Sequence, residues 1–290
     1  MKLKTIKEFI IEKIVFLSGI ISIIFVVLIF IFLFKEGVSF FKAVPLNEFL
    51  LEKHWYPISD PPKFGILPLI LGSILVTIGA TVISVPLSIA SAFFIAEIAS
   101  PKIKDFLKLG IELLAAIPSV VIGFIGMVTL VPLVKKLFNI PTGLTALSGS
   151  IMLAFMAMPT IVSITEDAIN AVPRQYKEGA LALGATRWQA MYRVTLIAGL
   201  PGIIAASMLG IGRVIGETMA VMMITGNAAV IPHTFLQPVR TLTATIAAEM
   251  GETVHGSEHY FALFAIGIVL FVITFIINFI ADIFLNRVSK

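Results

Sequence analysis

Cysteine is absent from the 290 residues of this chain, and charged residues make up only 13% of it. The absence of cysteine excludes thiol catalysis, disulfides and thiolate metal sites. The scarcity of charge, together with 58% hydrophobic residues and a mean hydropathy of +1.05, excludes a soluble fold of this length. The composition therefore indicates an integral membrane protein.

Several functional motifs are also missing from the sequence. No Gly-x-x-x-x-Gly-Lys-Ser/Thr loop occurs, so the chain has no recognisable ATP site of its own, and any energy from ATP must come through a partner. No Ser/His/Asp set or carboxylate pair converges at one membrane depth, which argues against an enzyme. No basic stripe with interleaved aromatics suggests a nucleic acid partner.

His255, Glu258 and His259 are the residues closest to a metal-binding pattern. They are confined to one short loop, and no further ligand is evident. We interpret this segment as a solvated loop and expect neither a metal nor a cofactor.

Six apolar runs are long enough to cross a hydrocarbon core of about 30 Å. The fold class predicted from them is an all-α integral membrane protein with six transmembrane helices. The first run follows a basic start, as in a signal peptide, but its length and the lack of a small-x-small cleavage site predict a retained anchor. The predicted spans are Ile14 to Phe34, Ile66 to Ile95, Leu113 to Val134, Ala146 to Ile164, Leu196 to Ile224 and Ala262 to Phe284.

The basic residues are distributed unequally between the two faces that these spans define. Thirteen lie on the face that holds both termini and seven on the other, and Arg213 falls inside the fifth span. The positive-inside rule then predicts a multi-pass plasma (inner) membrane protein with both termini in the cytoplasm. The thirteen are Lys2, Lys4, Lys7, Lys13, Lys102, Lys104, Lys108, Arg174, Lys177, Arg187, Arg193, Arg287 and Lys290; the seven are Lys35, Lys42, Lys53, Lys63, Lys135, Lys136 and Arg240.

A polar, alanine-rich segment from Val172 to Arg193 interrupts the apolar sequence. Pro173 fits the first turn of a helix, the residues up to Ala182 favour a helix, and Gly184 is predicted to end it. The segment therefore predicts a short helix, a turn and a second helix that enters the membrane. We call residues 172–193 the elbow; its exposure on the basic face suggests that another protein binds it.

Arg213, Glu217 and Thr218 lie within the fifth predicted span. The spacing of four places Arg213 and Glu217 on one helical face, with Thr218 adjacent. A charge at mid-bilayer costs at least about 2.5 to 3.5 kcal/mol, so these residues should face a bundle interior or a wet cavity. Gly212 and Gly216 leave a bare surface beside them, which either helix packing or a pathway explains.

Two interpretations of this pair are open from the residues alone. One is an intrahelical ion pair that holds the bundle together. The other is an anion pathway, in which the Arg213 guanidinium binds a tetrahedral oxyanion and Glu217 accepts a hydrogen bond from an anion that still carries a proton. Phosphate carries such a proton near neutral pH, whereas sulfate does not.

The elbow resembles the EAA motif of ABC importer permeases at Glu178-Gly-Ala-x-x-x-Gly184, followed by Val194-x-Leu196. Gly179 replaces the first Ala of the family pattern, and Ile197 stands where the pattern has Pro. Other stretches resemble phosphate importer permeases of the PstC type: Phe64 to Leu69, Ala116 to Gly123, Ala157 to Thr160, Glu166 to Ala168, Ala171 to Pro173, Gly212 to Val221, and Arg240-Thr-Leu-Thr243 through Glu249-Met-Gly251.

The resemblance implies a type I ABC importer permease bundle whose elbow is a coupling helix. The implied docking residues for the ATPase are Glu178, Gly179, Ala180 and Gly184, and the implied substrate pathway contains Arg213, Glu217 and Thr218. The implied partners are a second, PstA-type permease, two ATPase subunits, an extracytoplasmic phosphate-binding protein, phosphate and membrane lipid. The implied division is an N-terminal anchor helix with outer loop over residues 1–65 and a permease core over residues 66–290.

Three alternatives accompany this expectation. The chain could be a permease for sulfate, molybdate or another oxyanion. It could act alone as an anion channel or proton-coupled carrier. It could also be a membrane scaffold without a transport role, in which case Arg213 would be dispensable for uptake.

Overall fold

A computed structural model describes the backbone of residues 2–288 and the side chains of residues 8–9 and 11–283. The side chains of Lys2, Lys4, Lys7, Arg287 and Lys290, which were counted for the charge distribution, lie outside the described residues.

The chain is almost entirely helical over residues 2–288. In chain order the elements begin with α1 (Lys2–Phe40), α2 (Leu46–Leu51), β1 (Trp55–Tyr56), β2 (Lys63–Phe64), α3 (Leu67–Phe93), a π-helical segment (Phe94–Ile98), α4 (Pro101–Ala116), α5 (Ser119–Phe138) and α6 (Ala146–Asn170). They continue with α7 (Arg174–Ala182), α8 (Arg187–Ala190), a second π-helical segment (Met191–Thr195), α9 (Leu196–Gly216), α10 (Met219–Ile224), α11 (Leu242–Glu249) and α12 (Glu258–Val288).

Six membrane-spanning helices are found among the described residues, as the sequence predicts. Because consecutive spans cross in opposite directions, the bundle has two ends. We call the end that carries α7 and α8 the elbow face, and the end that carries β1, β2 and α11 the hairpin face. The spans are Ile11–Phe40, Leu67–Ile98, Ser119–Phe138, Ala146–Asn170, Arg187–Gly216 and Glu258–Ile283.

The third span begins later than the sequence analysis predicts. Hydropathy alone placed its start at Leu113, but α4 ends at Ala116 and α5 starts at Ser119. Between them Ile117 is extended, with φ −69° and ψ 128°, because the residue before a proline is disfavoured in the helical region. Pro118 thus divides the predicted span into α4 and α5.

The fourth span, α6, forms the centre of the bundle. It packs against α3 on one side and α9 on another, and most of its apolar side chains are buried. Leu153, Ala157 and Ile161 recur at spacings of four and point into one apolar cluster with Val76 of α3 and Val214 of α9. The burial of this stripe fixes the positions of α3 and α9 relative to α6.

The first span packs against the sixth. Ring contacts join Phe30 and Phe34 of α1 to Phe271 of α12, with centroids 5.0 and 6.5 Å apart. At Gly37 an added Cβ would lie 2.5 Å from the side chain of Ile268, so glycine permits the close approach of the two helices there. The anchor helix therefore contacts the rest of the bundle through α12.

The hairpin face is organised around the carboxylate of Glu249, at the end of α11. Trp55 Nε1 donates to both Glu249 oxygens at 3.1 Å, Arg240 lies 2.5 Å from Oε1, and His259 Nε2 lies 2.8 Å from Oε2. These contacts join β1 to α11 and α12. Trp55 is only 2% exposed, and its buried N–H finds a partner in Glu249.

Candidate functional site

The fifth predicted span is a broken helix. α9 ends at Gly216, Glu217 is extended with φ −70° and ψ 133°, and α10 starts only at Met219. The expectation that Arg213 and Glu217 share one face of a continuous helix is therefore wrong. The described residues also contain no ion pair between them. Glycine favours this ending because it is a poor helix former.

Side chains satisfy the backbone groups that the break exposes. Thr243 of α11 donates its hydroxyl to the Glu217 carbonyl at 2.9 Å, and Thr218 Oγ1 donates to the Gly216 carbonyl at 3.2 Å. The Glu217 carboxylate accepts from the Ala220 N–H, at 3.4 Å, in the first turn of α10. The break thus has its own hydrogen-bond partners, as a stable break inside a membrane requires.

Helix α10 continues the crossing beyond the break and packs closely on α5. A Cβ added at Gly123 of α5 would lie 3.0 Å from the Ala220 Cα. Any larger residue at Gly123 would separate the two backbones. This contact and the Thr243 hydrogen bond together hold α10 in place after the break.

Arg213 lies level with the middle of the fourth span. Its Nη1 donates to Thr160 Oγ1 at 3.0 Å, and Thr160 is near the midpoint of α6. The Arg213 side chain is exposed in the single chain, and a Cβ added at Gly212 or Gly216 would meet nothing within 4 Å. Arg213 and the two glycines therefore form an open, partly polar surface at mid-span.

Thr160 is a site residue that the sequence analysis did not assign. A threonine in a membrane helix more often bonds its hydroxyl back to its own helix. The Thr160 hydroxyl instead accepts from a side chain 53 residues away. The available signal was a hydroxyl among the apolar residues of α6, but only tertiary structure identifies the donor.

The elbow has the helix-turn-helix form that the sequence predicts. α7 ends in two backbone bonds, from Gly184 N to Leu181 O at 3.0 Å and from Ala185 N to Ala180 O at 3.1 Å. This pattern requires a left-handed residue, and Gly184 has φ +87°. Pro173 is the residue before the helix rather than within its first turn.

The predicted docking residues lie on an unpacked part of the elbow. No residue of α7 is buried, Glu178 and Gly179 are exposed, and Ala180 is half-buried. At the turn, Leu183 is 91% exposed. The second helix, α8, begins at a capping box between Thr186 and Gln189, which fixes its start without contacts from elsewhere. The elbow is thus locally well defined and open to a partner.

A buried carboxylate attaches α4 to α6 near the elbow. Glu166, with a side chain 2% exposed, pairs with Lys104 Nζ at 2.9 Å and Lys108 Nζ at 3.0 Å. It also accepts from Asn170 Nδ2 at 3.0 Å. The hydrogen bond to Glu166 raises the pKa of the Lys108 ammonium, although partial burial opposes the shift, so Lys108 keeps its charge at neutral pH.

Glu166→Gln is expected to destabilise the protein by about 1.5 to 3 kcal/mol, the range for hydrogen bonds to charged groups, towards the lower end because both lysines are partly solvated. The reason is that two ammonium groups lose their common counter-charge. Thermal unfolding in detergent measures the effect. Asp167→Asn removes an exposed neighbouring carboxylate and should have a smaller effect; equal effects would contradict the role given to Glu166.

The predicted site residues fall into two separate groups. Arg213, Glu217 and Thr218 surround the break at mid-span, whereas Glu178 to Gly184 lie on the elbow face. Among the described residues, no three His, Asp or Glu side chains are placed to hold a metal ion. The ring of His255 instead packs on Tyr260, with centroids 4.5 Å apart.

Comparison with known proteins identifies the family. The protein-family model described as "Binding-protein-dependent transport system inner membrane component" matches residues 84–290. The chain is 42% identical over 267 residues to the probable ABC transporter permease protein YqgH of Bacillus subtilis, covering 91% of this chain and 86% of the relative. It is 35% identical over 274 residues to the phosphate transport system permease protein PstC of Xylella fastidiosa (strain 9a5c), covering 88% and 81%.

Solved structures share the fold at low sequence identity. A bacterial alginate ABC transporter, in complex with its pentasaccharide-bound periplasmic protein, aligns with a TM-score of 0.65 at 17% identity, over 95% of this chain and 96% of that one. The inward-facing MetNI methionine ABC transporter aligns with a TM-score of 0.62 at 17% identity, over 80% and 100%. The expected type I importer permease bundle is confirmed. The chain belongs to the family of binding-protein-dependent transport system inner membrane components and is an ABC importer permease.

Proposed function

We propose that this chain is the PstC-type permease subunit of an ATP-driven phosphate importer. The observation that carries the proposal is the exposed guanidinium of Arg213 on the glycine-lined surface at mid-span. Such a charge is costly in a membrane unless it serves a pathway. The likeness to PstC proteins, 31 to 35% identical over much of their length, supports phosphate as the anion.

In this proposal Arg213 binds phosphate in transit through its fork of N–H donors. Thr160 orients the guanidinium through the bond at 3.0 Å. Glu217 accepts a hydrogen bond from the proton that phosphate retains near neutral pH, and Thr218 lines the same passage. Binding at this point is weak, because a tight mid-membrane site would slow release.

The elbow serves in this proposal as the docking element for an ATPase that is a separate subunit. Glu178, Gly179, Ala180 and Gly184 form the contact, which the exposure of α7 supports. The complete importer contains a second, PstA-type permease, two ATPase subunits and an extracytoplasmic phosphate-binding protein that releases phosphate at the hairpin face. The elbow face and both termini lie on the cytoplasmic side of the plasma (inner) membrane, in agreement with the positive-inside rule.

The proposal divides the chain into an anchor with an outer loop, residues 1–65, and a permease core, residues 66–290. The family match over residues 84–290 supports this division because it begins after the anchor. Beyond its contact with α12, α1 packs its last residue, Phe40, against Phe49 and Phe64 of the outer loop, which is in keeping with a unit formed by the anchor and that loop.

Uptake of labelled phosphate into liposomes tests the proposal. The purified chain alone should give no uptake, whereas the complex with a second permease, ATPase subunits and loaded binding protein should give uptake that requires ATP. Uptake by the chain alone would instead establish a channel or carrier and overturn the proposal.

A further inference from the structure

Helix α7 of the elbow is attached to the rest of the bundle by very few side chains. α7 buries no residue of its own, and Tyr176 in α7 and Trp188 in α8 are more than half exposed. One side chain of α7 does reach a distant element: Lys177 Nζ pairs with Glu97 Oε2, across 80 residues of sequence. This ion pair joins α7 to the elbow-face end of the second span.

The ion pair is more enclosed than an ordinary surface pair. The Glu97 side chain is 12% exposed and that of Lys177 is 37% exposed. Fully exposed pairs contribute little because water screens them and the side chains lose entropy. A pair with one largely buried partner is screened less, so a movement of Lys177 is more strongly resisted at Glu97.

Glu97 lies in an unusual backbone segment. The second span changes from α3 to the π-helical segment Phe94–Ile98, and the fifth span contains the π-helical segment Met191–Thr195, which begins within the elbow. π-helical segments are rare and occur frequently at functional sites. The second and fifth spans therefore both have a π-helical segment near the elbow face.

Two cavities flank the ion pair, with volumes of about 630 and 620 Å³. Glu97, Lys177 and Leu181 line both of them, so the pair forms part of the wall between the cavities. Because a cavity lies on each side of the ion pair, few packed side chains hold α7 against the second span at this point. A force applied to α7 would reach the second span directly through the ion pair, in addition to the apolar cluster that Met191, at the end of the elbow, shares with Phe93 and Ile95.

We infer that the Lys177–Glu97 ion pair positions the elbow on the second span and transmits the displacement of the elbow to the transport bundle. Lys177 and Glu97 are positioning residues, since neither lies near Arg213. The inference goes beyond the proposed function: it concerns how the elbow is mechanically linked, and it holds for any substrate of this importer permease.

The test compares the substrate transported per ATP hydrolysed in the reconstituted complex. Lys177→Gln and Glu97→Gln should each lower this ratio by about fivefold or more, the low end of measured coupling between sites, while the complex assembles and still hydrolyses ATP. The charge swap Glu97→Lys with Lys177→Glu should recover most of the loss. Lys102→Gln, which removes an exposed lysine of α4, is the matched control and should transport as the unmodified chain does.

An unchanged ratio in both single variants would overturn the inference. So would a swap that assembles but transports no better than the single variants, because a direct contact of either residue with the ATPase does not predict rescue by exchanged charges. The ratio is measured with the oxyanion that drives the unmodified complex. If phosphate failed to drive that complex, the result would contradict phosphate as the proposed substrate and would leave the test of the ion pair unaffected.

Discussion

Replacing Arg213 with glutamine is expected to abolish phosphate uptake by the assembled importer, lowering its rate by about 100-fold or more, the equivalent of two hydrogen bonds to a charged group. Glutamine retains a donor for Thr160 but loses both the positive charge and the fork that binds two oxyanion oxygens at once. Uptake of labelled phosphate by the reconstituted complex measures the loss.

The Arg213 substitution should leave assembly intact. The side chain is exposed in the single chain, and the hydrogen bond described for it is the one to Thr160. Arg213→Lys keeps the charge without the fork and should give an intermediate rate. If Arg213→Gln transported phosphate at the normal rate, the surface at mid-span would be a packing feature, as the scaffold alternative requires.

Reversing the charge of Glu178 is expected to weaken the attachment of the ATPase rather than the anion pathway. Glu178 is exposed on a helix without buried residues, so an arginine there leaves the fold of the elbow unchanged. A partner surface that accepts a carboxylate carries positive charge, so the arginine would create a like-charge contact that costs several kcal/mol. The ATPase recovered by co-purification should therefore fall by about 100-fold or more.

Two further variants make the Glu178 result specific. Glu178→Gln removes the charge without reversing it and should give a smaller loss of ATPase. Asp105→Arg makes the same change of charge at an exposed residue of α4 and should leave co-purification normal. Normal recovery of the ATPase with Glu178→Arg would exclude the proposed docking role of this residue.

The features that sequence reasoning predicts correctly are local ones. Long apolar runs predict six spans because each segment in the membrane must satisfy its backbone hydrogen bonds internally, as a helix does. The elbow follows in the same way, since Gly184 and the Thr186 capping box end and start helices by short-range hydrogen bonds. The break at Pro118 also has a local cause, the effect of proline on the preceding residue. Hydropathy alone nevertheless predicts one continuous span across it.

The features that the sequence does not predict depend on distant residues. The break at Glu217 is held by Thr243 and by the packing of α10 on α5, and neither contact has a local signature. The partner of Arg213 proved to be Thr160 rather than Glu217 for the same reason. The Lys177–Glu97 pair likewise joins two elements that the spacing of charges along the chain does not connect.

Phosphate import is tested most directly by measuring which substrate stimulates ATP hydrolysis. The reconstituted complex, with this permease, its permease partner and the ATPase subunits, is mixed with binding protein loaded with either phosphate or sulfate. We expect strong stimulation by the phosphate-loaded protein and little by the sulfate-loaded one, since only phosphate retains a proton with which it can donate a hydrogen bond to Glu217. Stronger stimulation by sulfate would contradict phosphate as the substrate.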